Sequence, residues 1–167
     1  MAAGNTYVAI ATQTLASAAY TVTFSSIPST YTDLVLIMNA TTTANTKNPV
    51  FRFNSDTGTN YSNTELYGDG SSAVSARKTS VSAIYGGAVG VSGGNESTII
   101  CNIQNYSNAT TYKTALIKTA SAFNSIDVVV GLWRNTAAIT SIDILTLSSG
   151  QNWSIGSTFT LYGIAAA

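Results

Sequence analysis

The stretch Tyr20-Thr21-Val22-Thr23-Phe24 alternates without a break. Tyr20, Val22 and Phe24 fall on one face and Thr21 and Thr23 on the other, the two-residue period of a half-buried β-strand. The pattern recurs along the chain. Phe51 and Phe53 share a face with Arg52 opposite, and Phe159 and Leu161 oppose Thr160 and Tyr162. Candidate strands cover 6–12, 19–25, 33–40, 50–54, 78–85, 97–106, 111–120, 126–134, 139–147 and 157–164. Turn residues separate them at a spacing of about 8–12 positions. In 126–134, Val128, Val130 and Leu132 alternate with Val129, Gly131 and Trp133, so this strand is expected to be buried on both faces.

No segment reads as a helix of normal length, because Ala-rich pieces such as 16–19 are too short to nucleate alone. The irregular segments 41–48, 60–76 and 86–95 are expected as long loops. The expected fold is therefore all-β: a two-sheet antiparallel β-sandwich, jelly-roll-like, with long loops at its ends. One domain fits the 167 residues. Residues 1–12 read as an N-terminal arm or as the first strand of the sheet, and 13–167 as the body.

Composition excludes several functions. Seven Lys and Arg balance seven Asp and Glu, and only 8% of residues are charged, against about 25% in ordinary soluble domains. Clustered cations for a nucleic-acid partner are lacking. The absence of histidine forbids a His-based metal site or triad, and a single cysteine forbids a disulfide within the chain. No apolar run approaches the roughly 18 residues of a membrane span, and the first residues lack a signal-peptide pattern. Six Asn-X-Ser/Thr sequons occur, where 14 Asn among 46 Ser and Thr give about four by chance. They are read as a product of composition.

Individual motifs read as structure. Asp56-Thr57-Gly58 matches the tripeptide of aspartic proteases, but Asn54 and Ser55 precede it where those enzymes carry apolar residues. It is expected to be a turn. The glycine-rich 86–94 is followed by Ser97-Thr98-Ile99-Ile100, a strand, so it does not open a helix as a phosphate cradle must. Asp69, between Gly68 and Gly70, reads as a solvated turn, and Cys101 as a small core residue. Asp33, Asp127 and Asp143 are expected on outward faces or as caps. Trp133 and Trp153 are the residues that could stack on a glycan, or else fill the core. No acid–base pair, cofactor site or metal site emerges, and the chain is not expected to be an enzyme.

A neutral, charge-poor surface lacks self-repulsion and tends to associate. Exposed sheet edges are ordinarily guarded by Lys, and Lys is rare here. The surface is expected to be covered by other chains.

Three stretches carry a resemblance. They are Ile27-Pro28-Ser29-Thr30-Tyr31-Thr32-Asp33-Leu34-Val35-Leu36, then Phe51-Arg52-Phe53-Asn54-Ser55-Asp56-Thr57-Gly58-Thr59-Asn60-Tyr61-Ser62, then 131–142 with the tail 156–164. Over roughly 15–164 the chain resembles the small β-sandwich virion proteins of tailed bacteriophages. The resemblance implies a virion subunit on the outer capsid surface, made in the host cytoplasm. Such a decoration (cement) protein would bind the major capsid protein and itself, as a homotrimer. The alternative is a tail-fibre or tail-tip subunit that binds a host-surface glycan, with Trp133 and Trp153 as stacking platforms. In the decoration reading the uncharged segment with Tyr7, Val8 and Ile10 is the anchor, adding a strand to a shell subunit. No nucleic acid or membrane partner is expected.

Overall fold

A computed structural model describes residues 6–44, 49–87, 94–121, 125–147 and 150–165. Twelve antiparallel strands form two sheets. In chain order they are β1 (Tyr7–Thr14), β2 (Thr21–Phe24), β3 (Asp33–Ala40), β4 (Pro49–Phe53), β5 (Tyr61–Gly68) and β6 (Ala73–Val81), then β7 (Ile84–Tyr85), β8 (Ser97–Gln104), β9 (Lys113–Ser121), β10 (Ser125–Trp133), β11 (Ile142–Thr146) and β12 (Thr158–Ile164). The large sheet has the order β1-β12-β3-β8-β9-β10-β5-β6, and the small one β2-β11-β4-β7. The chain passes repeatedly between them, making the expected antiparallel sandwich.

The alternation read from the sequence builds the core. Val22 and Phe24 from β2, and Phe51 and Phe53 from β4, face Leu34, Leu36 and Met38 of β3 and Phe159 and Leu161 of β12, all nearly or fully buried. Each such side chain contributes about 1.5–3 kcal/mol of burial. The small sheet lies close on the large one. A Cβ at Gly131 of β10 would fall 2.6 Å from the Ile84 side chain of β7.

Two expectations change, and of the two readings open for the N-terminal segment the structure shows the strand. Segment 60–76 is not a loop: it holds β5 and the start of β6, a hairpin closed by Asp69, whose carboxylate accepts from the backbone N–H of Ser71 and Ser72 at 2.9 and 2.8 Å. Asn63 and Glu65 point inward there and hide the usual apolar-in pattern. Residues 7–12 are no free arm. They belong to β1, which pairs with β12 from Tyr7↔Ile164 to Thr14↔Thr158, with a bulge between Ala9 and Ala11. A boundary after residue 12 would cut this strand. Finally, β10 is buried on one face only. Ser125, Asp127, Val129, Gly131 and Trp133 point inward, and Ile126, Val128 and Val130 face solvent. Of the expected loops, 45–48 and 88–93 lie outside the described residues.

Candidate interaction surface

The outward row of β10 meets the outward row of β5, because Val128 pairs with Leu66 and Val130 with Thr64. Leu66 and Ile126 are each 60% exposed and Val130 53%. Beside them the β5–β6 hairpin bounds an open groove of about 550 Å³ lined by Leu66, Gly68, Ala73, Val74, Ile126 and Val128. Scattered apolar side chains are ordinary on a protein surface, but a contiguous stripe beside a groove is a candidate contact site. Two exposed cations flank it: Lys118 of β9 pairs with Val128, and Arg77 of β6 pairs with Thr64.

The opposite end of the same outer face is different. Tyr7 of β1, Ile164 of β12 and Asp33 of β3 form one cross-strand row. The Tyr7 ring is 58% exposed and meets Tyr162 edge-on at 6.2 Å. Asp33 accepts from the Asn105 backbone N–H at 2.6 Å, which fixes its carboxylate at this end. The backbone edges of the large sheet are both guarded. Arg77 and Lys78 sit in mid-β6, and the bulge interrupts β1. Tyr7 and Val8 are thus committed to the β12 pairing, and Ile10, at the bulge, packs against the core. Of the three, Tyr7 presents the most surface.

The two tryptophans belong to the core, which corrects the stacking reading. Trp133 shares the inward parity of Val129 and Gly131 and is 1% exposed. Its ring stacks on Tyr61 at 6.2 Å and meets Phe53 edge-on at 5.7 Å. Trp153 is fully buried at the end of the sandwich, bridging Ala19 and Thr42 by backbone pairing, with its ring edge-on to Phe159. Neither ring has a free face for a sugar.

The other singled-out residues serve turns and interior packing. Asp56 accepts from Gly58 N at 2.8 Å and from Asn60 Nδ2 and Trp133 Nε1 at 2.9 and 2.7 Å. The positive φ of this turn falls on Asn54 and Ser55, both 52°, and not on Gly58. Asp143 accepts from the hydroxyls of Thr23 and Ser55. Asp127 departs from expectation by facing inward, 1% exposed, against Gly87, where a Cβ would fall 2.9 Å from its carboxylate. Cys101 is buried in β8, and burial pushes its thiol up to about 12. Among the described residues no group of three His, Cys, Asp or Glu could hold a metal, and no helix is long and apolar enough to cross a membrane.

The sequence reading missed the stripe because it placed Leu66 in a loop and buried Val128 and Val130. The available signal was Asp127. An acid alternating with Ile126 and Val128 sets the polar and apolar residues of β10 on opposite faces.

No family model matches the chain, and no curated protein matches it. A solved structure of a protein of unknown function from Shewanella oneidensis MR-1 aligns over 100% of this chain and 82% of its own, at 10% identity and a TM-score of 0.23. A likeness that loose carries no argument.

Proposed function

We propose that this chain is a structural subunit of a bacteriophage virion, a decoration (cement) protein that docks on the outer head shell through many weak contacts. The observation that carries the reading is the exposed apolar stripe of Leu66, Ile126, Val128 and Val130 on an otherwise charge-poor surface. A rigid sandwich with a candidate contact face, and no cluster of metal ligands among its described residues, suits a part that adds to a particle. Multivalency would supply the strength that one such stripe lacks. The reading assigns the chain no catalysis and no cofactor. Its partners are the major capsid protein and further copies of itself as a homotrimer. The tail-fibre alternative drew on Trp133 and Trp153 as glycan platforms, and their burial removes that support.

The test is the copy number of this chain in purified particles, measured by gel densitometry against the major shell protein. A ratio near one to one supports decoration of the whole shell. A ratio of a few per cent moves the chain to the tail, and absence from particles overturns the reading.

A further inference from the structure

The inner face of β5 carries polar groups that the fold leaves without partners. Asn63 is 2% exposed and Glu65 4%. Both polar atoms of the Asn63 carboxamide, and Oε2 of Glu65, are buried with no hydrogen bond among the described residues. Burial without a partner is costly, so such groups ordinarily find one. The strand register supplies a reactive neighbour. Lys78 of the edge strand β6 stands directly opposite Asn63, and Ala76 stands opposite Glu65. Directly opposed residues share a face, with Cβ atoms about 4.5–5.5 Å apart; diagonal neighbours, as Lys78 and Glu65 are, lie about 7–8 Å apart, within reach of long side chains. Lys78 is half-buried, and its Nζ sits 5.4 Å from the ring centre of Tyr85 on β7, the edge of the small sheet. An aromatic ring attracts an ammonium, which keeps this one on the inner side of β6.

The other charged groups around it are engaged or turned away. Arg77 takes the outward parity of β6 and is exposed. Arg52 of β4 donates from Nε to the Ser82 carbonyl at 3.2 Å. Asp69, at the tip of the hairpin, is held by Ser71 and Ser72. Asp127 faces inward from β10, opposite Tyr67 and one strand further from β6 than Glu65 is. Glu65 is therefore the acid placed beside the Lys78–Asn63 pair.

We propose that Lys78 and Asn63 join covalently, in an isopeptide bond between Lys78 Nζ and Asn63 Cγ that ties β6 to β5, with Glu65 carrying the proton. Glu65 first takes a proton from the Lys78 ammonium. The freed amine attacks Cγ of the carboxamide and forms the new C–N bond. The bond from Cγ to the Asn63 amide nitrogen breaks, and that nitrogen takes a proton from the attacking amine and leaves as ammonia. Glu65 passes its own proton to the ammonia, which departs as ammonium, and returns to the carboxylate. No oxidant and no cofactor is consumed. Holding amine and carbonyl together on a covered face replaces the encounter step of an ordinary amine–amide exchange. The bond closes the hairpin at an edge strand, which has a backbone neighbour on one side only. The proposal does not rest on the virion reading, and either can fail without the other.

The experiment is the intact mass of the purified chain, taken after denaturation so that only covalent bonds count. Wild type is expected to be lighter than its sequence by one ammonia. Protease digestion is expected to release a branched peptide that joins the stretch holding Asn63 to the stretch holding Lys78. Lys78→Arg keeps the charge at a half-buried position, and circular dichroism checks that it folds. It is expected to show its full sequence mass. Glu65→Gln is expected to be linked in only a small fraction of chains, because acid–base assistance is worth about 100-fold or more in rate. Full mass in folded wild type overturns the proposal and leaves Lys78 a plain cation beside buried polar groups. An ammonia loss that persists in Lys78→Arg overturns it too, since the loss then belongs to another asparagine or glutamine. Complete linkage in Glu65→Gln overturns the role given to Glu65.

Discussion

The indole N–H of Trp133 donates to Asp56 Oδ2 across 2.7 Å, tying the end of β10 to the turn between β4 and β5. The same carboxylate accepts from Gly58 and Asn60, so one side chain closes the turn and anchors a core ring. Removing the donor should be felt in stability. Trp133→Phe is expected to cost about 1.5–3 kcal/mol, the scale of a hydrogen bond to a charged group, read as a lowered urea midpoint with unchanged slope. An unchanged midpoint would mean that the bond contributes nothing.

Asp56 also links stability to acid. Burial raises its carboxyl, but the hydrogen bonds from Asn60, Trp133 and Gly58 together outweigh that and hold it below the ordinary value. A carboxyl lowered in the folded state stabilises fully above its unfolded value, near 3.9. That contribution fades as pH falls through the folded value. Asp69, held well below the carboxylate range by the N–H and hydroxyl groups of Ser71 and Ser72, acts in the same direction. The Asp56 share therefore appears only as a difference. Between pH 7 and pH 2, Asp56→Asn should lose less stability than wild type in a urea titration. Parallel curves would contradict this.

At Gly131 the sheets approach tightly over β10, with three Ile84 carbons between 2.6 and 2.9 Å from an added Cβ. Gly131→Ala is expected to destabilise by about 1–3 kcal/mol through overpacking. In an Ile84→Ala background the same change should become neutral or stabilising, because alanine suits a strand better than glycine. A double-mutant cycle by chemical denaturation measures the coupling. An additive cycle would show that the two residues do not press on each other.

What the sequence made legible depended on whether polarity and facing agreed. Val22, Phe24, Phe51 and Phe53 alternate against Thr and Arg, and all four lie in the core. In β5 the rule inverts, with Asn63 and Glu65 inside and Leu66 outside, so the strand read as a loop. Segment 84–87 crosses the inner face of the neighbouring strands, with Thr119 Oγ1 donating to the Gly86 carbonyl and Gly87 lying against Asp127, while the inward amide of Asn63 and Oε2 of Glu65 are buried without a hydrogen-bond partner among the described residues. In β10 a run of valines concealed which face was covered. The tryptophans could not be placed by type. Trp133 was decided by its parity with Val129, and Trp153 by backbone bridges to Ala19 and Thr42, which are distant in sequence. Tyr7, Val8 and Ile10 were visible as a strand, but not as one already paired to β12.

Cys101 gives a clean reporter of global opening. It is fully buried on the inner face of β8, between Leu36 on β3 and Ile117 on β9, and burial pushes its thiol up to about 12. Disulfide-exchange reagents attack the thiolate, so the native thiol is both hidden and protonated. Labelling at neutral pH is expected to be slow and to accelerate in step with added urea, following the population of the open form. Fast labelling without denaturant would mean that β8 opens locally.

Lys113 is the fully buried cation at the start of β9. Its Nζ donates to the carbonyls of Thr111 and Thr136 at 2.6 and 3.0 Å, and desolvation lowers its pKa. The unfolded chain keeps its proton up to about pH 10.4. The folded chain gives it up earlier. Between those two values the unfolded state binds more protons, so this group makes stability rise with pH. Lys113→Met keeps the length of the side chain and removes the titration. The stability of wild type relative to Lys113→Met should therefore shift in favour of wild type as pH rises from 7 to 10, measured by urea unfolding at each pH. Taking the difference between the two proteins cancels the other titrating groups, the tyrosines included. A difference that stays flat over this range would show that burial at Lys113 does not disfavour its charge.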